Sequence, residues 1–184
     1  MEVVEFKIPG LVLLKPKVFR DDRGYFLEAY NQRIYHQLGI KCDFVQNNQS
    51  YSTRGVLRGL HYQVNRPQAK LVQVVQGSVW DVAVDIRPNS PTFGQWEAVH
   101  LDAAEPSLFF IPEGCAHGFQ VLSDAALFAY QCSDFYSPPD DRGLLWSDPA
   151  LNIPWPIAPP ILSPKDTVHP RLEHLDPNER RTRD

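Results

Sequence analysis

The stretch LVQVVQGSVWDVAVDIRP, residues 71–88, decides the fold class. Two runs rich in β-branched residues flank Gly77, and such runs favour extended strands. After the glycine, side chains alternate with a period of two, with Trp80, Val82, Val84 and Ile86 on one side and Val79, Asp81, Ala83 and Asp85 on the other. We therefore predict two strands that meet at Gly77.

Similar strand-like runs recur on both sides of this stretch, at residues 3–8, 11–19, 43–50, 56–63, 96–101, 107–111, 117–122 and 126–132. The 17 prolines and 10 glycines supply turn signals between them. The best helix candidate is short, NQRIYHQLG at 31–39, and it ends at a glycine. Many short strands at this spacing predict an all-β sandwich or barrel with a few short helices.

The chain of 184 residues is long enough for one domain with a substantial core. Prolines crowd the sequence from Ser137 onward, so we expect loops and extended chain that wrap the barrel. The final segment, RLEHLDPNERRTRD, is polar, and we expect it to be flexible. The prediction is therefore one domain over 1–170 and a C-terminal tail over 171–184.

Composition and charge exclude several functional classes. Hydrophobic residues make up 43% of the chain, and the net charge of −4 argues against a general nucleic-acid or membrane-surface binder. No apolar run reaches the roughly 20 residues of a membrane span, and the amino terminus lacks signal-peptide features. Cys42, Cys115 and Cys132 are odd in number and widely spaced, as expected for reduced thiols. We expect a cytoplasmic protein.

The stretch GVLRGLHYQ, residues 55–63, places two polar groups in an apolar strand. Arg58 and His61 are three residues apart, so a regular strand would direct them to opposite faces. Gly59 could host a bulge that turns both side chains inward. The alternative is an edge strand with Arg58 in solvent and His61 as a satisfied core histidine.

Other polar groups recur in the predicted strands. His117 begins one strand after a Pro-Glu-Gly turn, Tyr130 lies inside another with Tyr136 near its end, and Lys70 opens KLVQVV. Each taken alone fits a structural role, because strand tyrosines normally pack and lysines are normally at the surface. Together they fit one polar pocket in a barrel mouth.

Acid–base catalysis without a metal is the chemistry that fits this pocket best. The sequence lacks GxSxG, GxGxxG and GxxxxGK[ST], so serine hydrolase and phosphate-loop chemistry find no support. A metal is the rival, but RGLHYQ lacks the second histidine of an HxH pair, and two histidines without a placed carboxylate form a poor metal site. Imidazole titrates near neutrality, and a phenol can protonate an enolate.

Five blocks occur in order over residues 19–166: FRDDRGYFLEAYN, FVQNNQSYSTRGVLRGLHYQ, KLVQVVQGSVWDVAVDIRPNSPTFGQW, IPEGCAHGF and LSPKD. This set resembles the dTDP-4-dehydrorhamnose 3,5-epimerase family, and the combination of RGLHYQ, DVAVDIR with SPTFG, and AHGF is highly specific. The resemblance implies a cupin-type β jelly roll, a homodimer, and no metal or organic cofactor. It also implies the substrate dTDP-4-dehydro-6-deoxy-D-glucose, epimerised at C3 and C5 towards dTDP-L-rhamnose.

The resemblance further implies roles for individual residues. His61 corresponds to the base, Asp166 to the carboxylate that orients it, and Tyr130 to the acid on the opposite face of the sugar. Lys70 would stabilise the enolate oxygen and Arg58 would bind the diphosphate. Nucleotide contacts are implied for Arg23 and Glu28, with the amino-terminal segment reaching a partner subunit, and further substrate contacts for Gln46, Asn47, Asn48, His117, Tyr136, Asp141 and Lys165.

The sequence departs from the family pattern in places near the site, and the smallest change is Asp141, where glutamate is often found. Where the family commonly has Gln-Asp-Asn-His-Ser, this chain has Gln46-Asn47-Asn48-Gln49-Ser50. The missing carboxylate and imidazole leave open an enzyme that epimerises only one carbon of a 4-keto sugar nucleotide. A metal-dependent or purely sugar-binding cupin is a third alternative. The base and acid positions are intact, so we expect the double epimerase.

Overall fold

Two antiparallel sheets face each other in a β jelly roll, as the computed structural model, which describes residues 1–179 and 181–183, shows. The strands are β1 Glu2–Glu5, β2 Val12–Lys15, β3 Val18–Asp21, β4 Gly24–Leu27, β5 Gln46–Thr53, β6 Leu57–Gln63, β7 Lys70–Gln76, β8 Ser78–Asp85, β9 Trp96–Asp102, β10 Leu108–Ile111, β11 Cys115–Val121, β12 Ala125–Cys132 and β13 Asp141–Gly143. One sheet has the order β1-β2-β10-β7-β12-β5 and the other β13-β6-β11-β8-β9. Strands β3 and β4 form a separate hairpin.

The stretch 71–88 forms two strands, as predicted, and they enter different sheets. β7 lies in the six-stranded sheet and β8 in the five-stranded sheet, so the chain crosses between the sheets at Gly77. Both faces of β8 are buried: Ala83 packs in the barrel interior, whereas Val82 and Val84 pack beneath the C-terminal chain. A strand covered on both sides has apolar residues on both sides.

Three apolar clusters hold the layers together. Side chains of both sheets fill the barrel interior, where the rings of Phe119 and Phe128 stack with centroids 4.0 Å apart. Helix α1, Gln32–Gln37, covers the six-stranded sheet through the fully buried Tyr35. Chain that follows β13 covers the five-stranded sheet through Leu151 and Trp155.

Every predicted strand region contains an observed strand, and the predicted helix is present with Asn31 as its N-cap. Two strands were not predicted. β4 carries exposed aromatic side chains with no buried face, and β13 has three residues that pair with the edge of β6. The chain after Ser137, predicted as loops and extended segments, also contains short 3-10 turns at Pro138–Asp140, Lys165–Thr167 and Leu172–His174.

Residues of the predicted tail contact the barrel. Leu172 and Leu175 pack against the five-stranded sheet, and Arg183 Nη2 donates to Asp134 Oδ2 at 2.7 Å. The boundary at residue 170 and the flexibility of 171–184 stay predictions, and residues 180 and 184 lie outside the described part. Within that part, no helix is long and apolar enough to cross a membrane.

Candidate active site

A β-bulge at Gly59 lies between two of the predicted site residues, Arg58 and His61. Arg58 pairs with Phe119, and His61 pairs with His117. Between these two pairs the chain advances three residues along β6 but only two along β11, so β6 carries one extra residue. Gly59 has φ of 136°, and a Cβ at this position would lie 2.5 Å from the Cα of Gly118. Only glycine fits there, because the two backbones touch. The predicted bulge is confirmed.

After the bulge, His61 is directed to a cavity between the sheets, whereas Arg58 is exposed and reaches the facing sheet outside that cavity. His61 lines a cavity, and its side chain is 34% exposed, so it is not a core histidine. The Arg58 guanidinium reaches across to the facing sheet, where Nε donates to Ser52 Oγ at 3.0 Å. Arg58 does not line the cavity, whereas Tyr130 does. The positive charge of Arg58 nevertheless acts to lower the pKa of Tyr130.

The cavity has a volume of about 290 Å³ and lies between the two sheets. It brings together eight of the predicted site residues: Gln46, Asn48, His61, Lys70, Tyr130, Tyr136, Asp141 and Lys165. Asp166 lies directly behind His61. Polar groups from distant parts of the chain therefore converge on one space.

His61 and Asp166 form a hydrogen-bonded pair. The Nε2 atom of His61 lies 2.6 Å from Oδ1 of Asp166, whose side chain is only 3% exposed. Burial on its own would raise the pKa of Asp166, but the neighbouring imidazoles of His169 and His61 outweigh burial, and the pKa is lowered. The carboxylate is therefore an anion that accepts the Nε2 proton and leaves Nδ1 of His61 free to act as a base.

Lys70 lies at the bottom of the same space. Its ammonium is buried and donates from Nζ to the backbone oxygen of His61 at 3.3 Å. Burial lowers the pKa of Lys70, while the neighbouring Cys132 and Asp81 oppose that shift. An ammonium held out of water interacts strongly with an oxygen that becomes negative during a reaction.

Tyr130 faces His61 from the other sheet. It lies in β12 of the six-stranded sheet, between Asn48 of β5 and Val72 of β7, whereas His61 lies in the five-stranded sheet. Burial raises the pKa of Tyr130, so the phenol keeps its proton near neutral pH. An imidazole, which can accept a proton, and a phenol, which can donate one, thus line the same cavity from different sheets.

A polar rim surrounds the cavity mouth. The Tyr136 hydroxyl donates to Asp141 Oδ2 at 3.0 Å, and Lys165 Nζ contacts the same oxygen. The backbone N–H of Tyr136 donates to Gln46 Oε1 at 2.8 Å. These bonds link β5, β13 and the 3-10 turn at Lys165–Thr167, and they hold the rim in one arrangement.

The model of the family described as dTDP-4-dehydrorhamnose 3,5-epimerase matches residues 5–174. The chain belongs to this epimerase family. The dTDP-4-dehydrorhamnose 3,5-epimerase of Shigella flexneri is 53% identical over 168 residues, which are 90% of this chain and 93% of that relative.

Two solved structures resemble this chain in both sequence and fold. The dTDP-6-deoxy-D-glucose-3,5-epimerase of Legionella pneumophila Philadelphia 1, in complex with dTDP-4-keto-L-rhamnose, has a TM-score of 0.95 and 45% identity, covering 100% of this chain and 99% of that one. ChmJ, a 3'-monoepimerase of Streptomyces bikiniensis in complex with dTDP-quinovose, has a TM-score of 0.86 and 36% identity, covering 91% and 86%.

Asp166 lies behind His61 and does not itself line the cavity. Five other residues that the family resemblance implied also do not line it: Arg23, Glu28, Asn47, Arg58 and His117. His117 is buried against Phe128, with Nε2 3.0 Å from Asp81 Oδ1. Burial lowers the pKa of His117 and raises that of Asp81. The roles of these five residues stay predictions.

Asn47 and Gln49, two departures from the epimerase pattern, are exposed and do not line the cavity, whereas Gln46 and Asn48 do. The alternation of β5 explains this division, because successive side chains point to opposite faces. Within one chain, these two departures therefore do not alter the cavity wall, whereas Asp141, which replaces a common glutamate, lies in it.

Sequence reasoning missed four residues at the epimerase site: Tyr62, Gln63 and Gln68, which line the cavity, and His169. Gln63 was detectable, because it follows His61 by two residues in the same strand and shares its face. Gln68 and His169 lie outside strands, where spacing carries no signal about direction. His61, Asp166 and His169 hold potential metal-ligating atoms within 4.8 Å of one another.

Proposed function

We propose that this chain epimerises dTDP-4-dehydro-6-deoxy-D-glucose at C3 and C5, giving dTDP-4-dehydro-L-rhamnose. The observation that carries the proposal is the placement of the His61–Asp166 pair and the Tyr130 phenol on opposite walls of one cavity. Epimerisation needs this placement, because a proton must leave one face of the sugar and another must arrive on the opposite face.

Each residue then has a defined task. C3 and C5 both flank the C4 ketone, so removal of either proton gives an enolate. Nδ1 of His61 takes the proton, and the Asp166 carboxylate stabilises the imidazolium that results. Lys70 stabilises the enolate oxygen, and Tyr130 donates a proton to the carbon from the other side. The proton on His61 leaves to solvent and the Tyr130 oxygen regains one, which completes the cycle.

Epimerisation at both carbons is favoured over a single-carbon reaction. The 3,5-epimerase of Legionella pneumophila resembles this chain more closely than the 3'-monoepimerase does, in both sequence and structure. The exposed positions of Asn47 and Gln49 also remove the sequence-based argument for an altered sugar contact.

Solvent deuterium exchange tests the proposal. The 4-keto sugar nucleotide is incubated with enzyme in D₂O, and NMR follows the C3 and C5 positions. We expect deuterium and inverted configuration at both carbons. Label at one carbon would establish a monoepimerase instead, and an unlabelled sugar would exclude the proposed chemistry.

We also propose that the chain acts as a homodimer. The β3–β4 hairpin exposes Phe19, Tyr25 and Phe26, which are 52%, 51% and 68% accessible. Clustered exposed aromatic side chains favour a protein interface. The hairpin turn also carries Arg23, which does not line the cavity of its own chain. A second copy that receives this hairpin would explain a nucleotide contact from Arg23.

Two further parts of the proposal rest on the sequence. Catalysis without a cofactor follows from the family resemblance and from the acid and base that the chain itself supplies. A cytoplasmic location follows from the odd number of cysteines, which fits a reducing compartment. Both stay predictions.

A further inference from the structure

We propose that His61, Asp166 and His169 form an inhibitory binding site for Zn²⁺. Their candidate ligand atoms all lie within 4.8 Å of one another. Oδ1 of Asp166 is 2.6 Å from Nε2 of His61 and 3.4 Å from Nε2 of His169. One carboxylate oxygen is thus flanked by two imidazole nitrogens. The inhibition, though not the binding, rests on the proposed function.

His169 points to a ligand beyond its present neighbours. Its side chain is only 9% exposed, yet Nε2 has no well-aligned hydrogen bond among the described residues, and its contact with Asp166 Oδ1 is long at 3.4 Å. The ring lies against Gly143, where a Cβ would come 2.3 Å from Cε1 and Nε2. A buried nitrogen without a hydrogen bond is unfavourable, and coordination to a metal would satisfy it.

The donor set selects the type of cation. Two imidazoles and one carboxylate are typical ligands of Zn²⁺, whereas Mg²⁺ and Ca²⁺ prefer oxygen ligands alone. Tetrahedral bonds of about 2.0–2.1 Å place ligand atoms about 3.3 Å apart. The 3.4 Å between His169 Nε2 and Asp166 Oδ1 already matches this spacing. The 2.6 Å between His61 Nε2 and Asp166 Oδ1 has to increase when the metal replaces the proton that these two atoms share. Because His61 lines the cavity, a metal ion can reach the three ligands from solvent on the side of His61.

Occupation of this site would block catalysis through the tautomer of His61. A metal on Nε2 forces the remaining proton of the neutral imidazole onto Nδ1. Nδ1 is the nitrogen that has to accept a proton from the sugar, and in this state it has no free lone pair. The same metal also takes the Asp166 carboxylate, which otherwise stabilises the imidazolium.

Calorimetric titration of Zn²⁺ into the chelator-treated protein, without substrate, tests the binding. We expect one equivalent to bind, and Co²⁺ in its place to give the visible absorption of a four-coordinate site. His61→Ala and His169→Phe should each weaken binding by at least about tenfold. His36→Gln, an exposed histidine on α1, is the control and should bind as the parent does. Zn²⁺ that binds equally well to both site variants would overturn the proposal, as would no binding at all.

Activity measurements test the inhibition. Zn²⁺ should reduce turnover of the parent chain, and EDTA should restore it. The ratio of rates with and without Zn²⁺ should move towards one in His169→Phe, whatever that variant's basal rate. Full inhibition retained in that variant would contradict the assignment. If His169→Phe does not fold, Gly143→Ala serves instead, because the added methyl displaces the His169 ring. A chain that binds Zn²⁺ as described but does not epimerise would refute the proposed function and leave the site standing.

Discussion

The different surroundings of His61 and Tyr130 support the different roles proposed for them. His61 contacts a buried anion through Nε2, which favours a positive charge on the ring once it has taken a proton. Tyr130 is half-buried, and burial favours its neutral, protonated form. One group is therefore ready to accept a proton and the other to donate one.

Replacement of His61 by alanine should reduce kcat by at least about 100-fold, the lower range for loss of a general base. His100→Ala, which removes an exposed histidine of β9, is the matched control and should keep the parent rate. Steady-state kinetics with the 4-keto sugar nucleotide measure both. An unchanged rate in His61→Ala would mean that another group removes the proton.

Tyr130→Phe should separate proton removal from inversion. His61 can still exchange a sugar proton with D₂O, so we expect deuterium to enter the substrate with its configuration retained. Binding of dTDP should stay near the parent value, because the phenol does not act on the nucleotide. Tyr51→Phe, an exposed tyrosine of β5, is the control. Inversion at the parent rate would exclude Tyr130 as the proton donor.

Strand β6 shows how one element combines structure and chemistry. Without the bulge, Arg58 and His61 would point to opposite faces, so they could not both be directed towards the facing sheet. The bulge exists because Gly59 permits a positive φ and a close approach to Gly118. The sequence signal was therefore the glycine between two polar residues, rather than any alternation.

Gly59→Ala should destabilise the fold by about 2 kcal/mol or more, from backbone strain together with the collision with Gly118. Gly24→Ala is an informative control: its φ of 127° is similar, but a Cβ there meets nothing within 4 Å. Urea unfolding gives the free energy of unfolding of both variants, and the difference between their losses measures the effect of the collision with Gly118. Equal losses would show that backbone strain alone accounts for the effect.

At the scale of the whole molecule, the exposed aromatic side chains of the β3–β4 hairpin predict a homodimer. Phe26→Glu should convert a dimer to a monomer in analytical ultracentrifugation and lower kcat/KM, because a partner's Arg23 would no longer reach the cavity. Phe93→Glu changes an exposed phenylalanine in the turn between β8 and β9 and should leave the dimer intact. A parent chain that sediments as a monomer would contradict the proposed dimer.

The strands were predictable wherever one or both faces are buried, as in 71–88, because burial imposes an apolar pattern. Strands β4 and β13 were not predicted, because β4 has no buried face and β13 is defined only by its pairing with β6. His61 and Gly59 were visible from local sequence. Asp166 entered only through the family resemblance, since 105 residues separate it from His61. His169 was missed because only the folded chain reveals which loop side chains turn towards the site.

The stacked pair Phe119 and Phe128 joins the two sheets below the cavity. Phe128 lies two residues before Tyr130 in β12, and Phe119 lies two residues after His117, the pairing partner of His61. The thickness of this aromatic pair therefore contributes to the distance between His61 and Tyr130, the proposed proton acceptor and proton donor. We expect smaller side chains here to impair stereochemical fidelity before they impair nucleotide affinity. The handedness of the product would then depend on two rings that do not line the cavity.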